Sequence, residues 1–87
     1  MKYIRKPVEV IAIFDIEGNP SPMRLRCSDE EEETIVIKVD KILRRDIDKF
    51  AGNPMIRYTC ESLMAGEAKV FEVRYEVHSC KWYLYKI

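Results

Sequence analysis

Ile56-Arg57-Tyr58-Thr59-Cys60, then Ala65-Gly66, then Phe71-Glu72-Val73-Arg74-Tyr75-Glu76-Val77 is the most informative passage of the chain. Apolar residues recur at every second position on both sides of a two-residue turn signal, the period of β-strands rather than helices. Closing the hairpin about Ala65-Gly66 sets Tyr58 opposite Val73 and Cys60 opposite Phe71. A slip of one residue would send all four to the other face, so the register is strongly specified. A second tight turn at Ser79-Cys80 then pairs Val77 with Trp82 and Tyr75 with Leu84. This pairing places Arg57, Arg74 and Tyr85 in one row on the opposite face, and Trp82 with Val77 and Leu84 in the core.

The same period runs toward the N-terminus. Val8 to Phe14 is β-branched and aromatic with both parities apolar, as in a central strand or one that bends and packs on two sides. Gly18-Asn19-Pro20-Ser21-Pro22 supplies a turn. Met23, Leu25 and Cys27 alternate with Arg24, Arg26 and Ser28, which predicts a half-buried strand with its arginines outward. Thr34 to Val39 reads as a third strand, with Ile35, Ile37 and Val39 on one face, continuing to about Arg44 after a bulge near Asp40-Lys41. A rival reading over residues 41–51 is a short helical turn, capped by Asp40, with Leu43, Ile47, Phe50 and Ala51 as its stripe and Gly52 as its terminator. The expectation is therefore an all-β, mainly antiparallel domain over residues 1–87. It has six strands in meander order, closing into a small SH3-like or OB-like barrel that removes exposed edges.

Composition supports one globular unit. A chain of 87 residues, 47% hydrophobic and 34% charged, buries roughly 60–65% of its unfolded surface and lacks the signature of disorder. The net charge is zero, but Asp29, Glu30, Glu31, Glu32 and Glu33 stand together, and the remainder carries 15 basic against 10 acidic side chains. A mildly basic face can thus coexist with an acidic loop. Cys27, Cys60 and Cys80 form no close pair and suit a reducing compartment, so a cytoplasmic location is expected. The run Val8 to Ile16 is too short and too charged for a signal core or a membrane span.

Motifs for chemistry are missing. Without a Cys-x-x-Cys knuckle, Cys27 and Cys60 read as small core hydrophobes, and no metal or cofactor is expected. His78, the single histidine, lies beside Ser79 and Cys80 on a turn, a poor arrangement for an activated nucleophile. No glycine-rich phosphate loop is present. The acidic run lacks the alternating ligands of a calcium loop and reads as a solvated loop or a docking element for a basic partner. The remaining surface of interest is the row Arg57, Arg74, Tyr85, with Arg24, Arg26 and Lys38 outward on other strands. Basic side chains beside aromatic platforms are how small barrels hold single-stranded nucleic acid. Glu72 and Glu76 flank Arg74 on the same face, however, which is the mixed pattern of an ordinary solvated sheet.

Lys6-Pro7-Val8-Glu9-Val10, Pro22-Met23-Arg24-Leu25-Arg26, Val39-Asp40-Lys41-Ile42-Leu43, Ala51-Gly52-Asn53 and Cys80-Lys81-Trp82-Tyr83-Leu84 together resemble a family of small uncharacterised clostridial proteins. That family is distantly similar to domain-of-unknown-function proteins encoded beside Y-family translesion DNA polymerases. The resemblance implies an accessory role in DNA repair with a polymerase as protein partner, and it brings no catalytic residues. The expected function is a non-enzymatic adaptor, monomeric or homodimeric, with weak nucleic-acid contact through Arg24, Arg26, Lys38, Arg57, Arg74 and Tyr85. The alternative is a small-molecule or metal-binding barrel.

Overall fold

A computed structural model describes residues 2–28, 31–49 and 52–87. At its centre is the expected hairpin, β5 (Met55–Met64) and β6 (Glu67–Glu76). Ala65 and Gly66 both take positive φ, 51° and 80°. A two-residue turn of this kind has the twist that antiparallel neighbours require. Tyr58 faces Val73 and Cys60 faces Phe71 as expected, and all four are wholly buried.

The next turn departs from expectation. Val77 to Cys80 form a loop closed by the Cys80 N–H donating to the Glu76 carbonyl at 2.9 Å, with Cys80 itself at φ 58°. The ladder to β7 (Lys81–Lys86) therefore begins at Glu76 and Lys81, and it pairs Tyr75 with Trp82 and Val73 with Leu84. Relative to the sequence reading the register moves by two residues, so parity survives while the neighbours change. Trp82 and Leu84 still enter the core, but Val77 is exposed, and Tyr83 rather than Tyr85 stands opposite Arg74.

β1 (Tyr3–Phe14) is longer than the sequence suggested and does lie centrally. Its first half pairs with β7 and its second half with β2 (Pro20–Ser28). Val8, Val10 and Ala12 pack on the core, whereas Ile11 and Ile13 face outward. The turn after β1 spans Asp15 to Asn19, with the Asp15 carboxylate accepting from the Glu17 and Asn19 N–H groups at 2.9 Å each. Pro20 and Pro22 belong to β2, beside a bulge at Ile11/Ala12 and beyond the reach of β3, where a strand tolerates a missing N–H.

β3 (Thr34–Lys38) pairs with β2, and β4 (Lys41–Asp48) with β5. Between them the chain changes partner: the Val39 N–H donates to Met23 O and the Asp40 N–H to Glu61 O, both at 2.9 Å. The expected irregularity at Asp40-Lys41 is this switch, and the strand after it runs on to Asp48. Residues 41–48 are strand and not helix, because β5 offers them a ladder from Met55 to Glu61. Phe50 and Ala51, part of the alternative helical stripe, lie outside the described residues.

Among the described residues the sheet thus holds seven antiparallel strands, not six, in the order β3-β2-β1-β7-β6-β5-β4. It coils around Leu25, Ile37, Tyr58, Phe71, Trp82 and Leu84. The expected closure does not occur. β3 and β4 are the two ends of the order and do not pair with each other. The β4–β5 ladder stops at Lys41 and Glu61, and among the described residues β3 has a ladder only with β2.

Candidate functional site

The alternation that buries one face of each strand leaves two outer flanks of different character. On β4 to β7, one row runs Asp46, Arg57, Arg74, Tyr83. Arg57 has Asp46 at 3.8 Å. Arg74 has Glu72 at 2.7 Å and Asp48 at 3.8 Å, and its guanidinium lies 3.8 Å from the Tyr85 ring centroid. Tyr85 is buried although it points away from the core, with Tyr3 edge-on at 5.5 Å and Arg5 at 5.7 Å. Arg5 holds φ 46° at a bulge in the β1–β7 ladder. The expected trio Arg57, Arg74 and Tyr85 is brought together, but it forms a neutralised lattice whose aromatic ring is already stacked. Asn53 binds Glu76 beside it at 2.9 Å and lowers that carboxyl below its usual range.

The other flank is the outer face of β1, β2 and β3. Ile11, Arg24 and Lys38 make one cross-strand row, and Glu9, Arg26 and Val36 the next. Ile11, Ile13 and Val36 are 64%, 59% and 57% exposed. Arg26 is paired with Glu9 at 2.6 Å, and Lys38 has Asp40 at 3.8 Å. Arg24 has no ion-pair partner among the described residues. Glu9, Ile11, Arg24, Arg26 and Val36 line a shallow groove of about 310 Å³ on this flank. No aromatic ring lies on it among the described residues. The six proposed nucleic-acid contacts are therefore divided, with Arg24, Arg26 and Lys38 on this flank and Arg57, Arg74 and Tyr85 on the other.

Of the acidic run, Glu31, Glu32 and Glu33 are exposed in the turn before β3, and Asp29 and Glu30 lie outside the described residues. Cys60 is buried, and burial pushes its thiol up to about 12. Cys27 is half-buried and Cys80 exposed. His78 is exposed in the β6–β7 loop, where Ser79 donates to Glu76 rather than to an imidazole. Among the described residues, no three His, Cys, Asp or Glu side chains could together hold a metal ion, and no helix is long and apolar enough to cross a membrane.

Sequence reasoning placed Glu72 beside Arg74 but missed Asp46 and Asp48, the acids that β4 brings to Arg57 and Arg74, and the outward Ile11 and Ile13. A usable signal existed in Arg44, Asp46 and Asp48, which share one parity. Reading that stretch as strand would have laid Asp46 beside Arg57. Comparison with protein-family models, with curated proteins and with solved structures finds no match for this chain.

Proposed function

We propose that this chain is a non-enzymatic interaction module that contacts a protein partner through the outer flank of β1, β2 and β3. The observation that carries this reading is the exposure of Ile11, Ile13 and Val36 on one continuous surface beside Arg24, which has no ion-pair partner among the described residues. Apolar side chains interleaved with arginine suit a protein interface, where a desolvated centre and guanidinium anchors supply most of the binding energy. The same composition suits nucleic acid less well. Phosphate binding rewards unneutralised cations and base binding rewards open aromatic faces, whereas Arg26 is paired with Glu9 and Tyr85 is stacked on the opposite flank. By the resemblance noted above, a Y-family DNA polymerase is the first partner to try.

The test is a photo-crosslinking residue at position 11 or at position 83, in the full-length protein within its own cells. The reading expects a discrete protein adduct from position 11 and none from position 83. Equal adducts from both, or none from position 11, would refute it. In parallel, single-stranded and duplex DNA are titrated across a salt series. Affinity falling steeply with salt, through Arg24, would replace the protein reading with a nucleic-acid one.

A further inference from the structure

The two ends of the sheet order treat their free edges differently. β4 surrounds its edge with Lys41, Arg44, Arg45, Asp46 and Asp48, the charged guard that discourages further strand pairing. β3 carries Ile35, Val36 and Ile37 with only Lys38 as a charge. Its free edge borders a solvent-open groove. It faces the last residues of β5, Ser62 to Met64, which lie beyond the end of the β4–β5 ladder. Ile35, Ile37, Lys38, Ser62, Leu63 and Met64 line an open groove of about 390 Å³ between these two edges.

Backbone direction in the groove follows from alternation. Val39 donates to β2 and Asp40 to β5. In an extended strand, N–H and C=O groups of alternate residues point to the same side. Val36 and Lys38 therefore present their peptide groups to the groove, and no partner takes them among the described residues. At the closed end Asp40 spans the gap: its carboxylate accepts the Leu63 N–H at 2.8 Å and lies 3.8 Å from the Lys38 ammonium. From there to Thr34 the edge offers about four residues, roughly 14 Å at 3.4 Å per residue.

We infer that this seam is a strand-accepting slot, occupied by an extended segment of a protein partner that adds a strand to β3. The inference rests on the interaction-module reading and names the partner's chemistry. Residues opposite Val36 and Lys38 share their outward face, so the row Arg24, Lys38 continues onto the guest and calls for a carboxylate there. Guest residues of the other parity turn inward against Ile35, Ile37 and Met64 and call for β-branched apolar side chains. The guest is thus an alternating acidic and apolar strand.

The probe is a short capped peptide of alternating valine and glutamate, with its valine and lysine counterpart as control. Amide exchange in the intact protein is followed by NMR. The expected result is slowing of the Val36 and Lys38 amides by about tenfold or more with the acidic peptide and not with the basic one. Val36→Pro removes one groove-facing N–H at an edge that tolerates proline. It should abolish this protection while the Ile35 and Ile37 amides, bonded to β2, stay protected. Should that variant fail to fold, Lys38→Glu serves instead and should reverse the preference between the two peptides. Absence of protection with either peptide, or equal protection by both, overturns the inference. So does a dimer in the free protein that Val36→Pro dissociates, since the occupant would then be a second copy. If crosslinking from position 11 survives in Val36→Pro while peptide protection is absent in the parent, the seam fails and the flank reading stands.

Discussion

The β4–β7 flank has more arginine and more aromatic side chains than the β1–β3 flank, yet it is the less available of the two. Arg57 and Arg74 stand within 3.8 Å of Asp46, Asp48 or Glu72, and Tyr85 is covered by Arg74, Arg5 and Tyr3. On the β1–β3 flank the charges are fewer, the Arg26–Glu9 pair is well exposed and the apolar residues are open. A count of basic and aromatic residues therefore points to the wrong flank. Availability follows from pairing, because a guanidinium already desolvated against a carboxylate offers little further energy to a ligand.

The two flanks share one core, and that bounds how independent they are. Phe71→Ala, beneath both, should cost about 3–5 kcal/mol and unfold the molecule in a single urea transition read by Trp82 fluorescence. Two separate transitions would mean that the flanks are separate cooperative units. Next in size, Glu72→Ala removes the nearest partner of Arg74, whose side chain is only 14% exposed, and should cost about 1–3 kcal/mol. Arg24→Ala, on the other flank, should stay within about 0.5 kcal/mol of the parent. If the two variants were equally stable, the distinction between a tied and an open flank would collapse.

A pH series refines the shared core. Folding raises the Cys60 thiol from 9.0 to about 12, so below pH 9 both states hold the proton and the group contributes no pH dependence. Between 9 and 12 the unfolded chain loses it first, and stability falls by up to about 1.4 kcal/mol per pH unit. Tyr75, raised to about 12 by its hydrogen bond with Cys80 and by burial, adds to the loss above pH 10. Cys60→Ala should flatten the slope between pH 9 and 10 in denaturant titrations. An unchanged slope there would place its source in another group.

The Ala65-Gly66 hairpin was legible because a two-residue turn and a two-residue side-chain period constrain each other within one short segment. The β6–β7 register was not, because it depends on Cys80 taking a left-handed conformation that no glycine or asparagine announces. The loop Val77 to Cys80 therefore moved the ladder by two residues, which keeps Trp82 and Leu84 in the core but leaves Val77 exposed. The stretch from Asp40 to Asp48 was only half legible, since Leu43 and Ile47 also fit a helical spacing. The free edge of β5 settles it in favour of a strand. Of the candidate residues, Arg24, Arg26 and Lys38 face outward as read and Arg57 stands opposite Arg74, but Tyr83 takes the place in that row expected for Tyr85, which meets Arg74 from a neighbouring position. The acids that tie Arg57 and Arg74 arrive from β4 and from within β6, and sequence position alone did not bring β4 there.

The amino-acid sequence by itself determined that this chain is antiparallel β-sheet and which face of β2, β3, β5 and β6 is buried. Those properties follow from a local two-residue period. Only the tertiary structure decided that the chain changes partner at Asp40, that the sheet stays open between β3 and β5, and which flank keeps its charges free. The coil of a sheet sets which strand ends meet, and that sum of twists over seven strands is carried by no single segment.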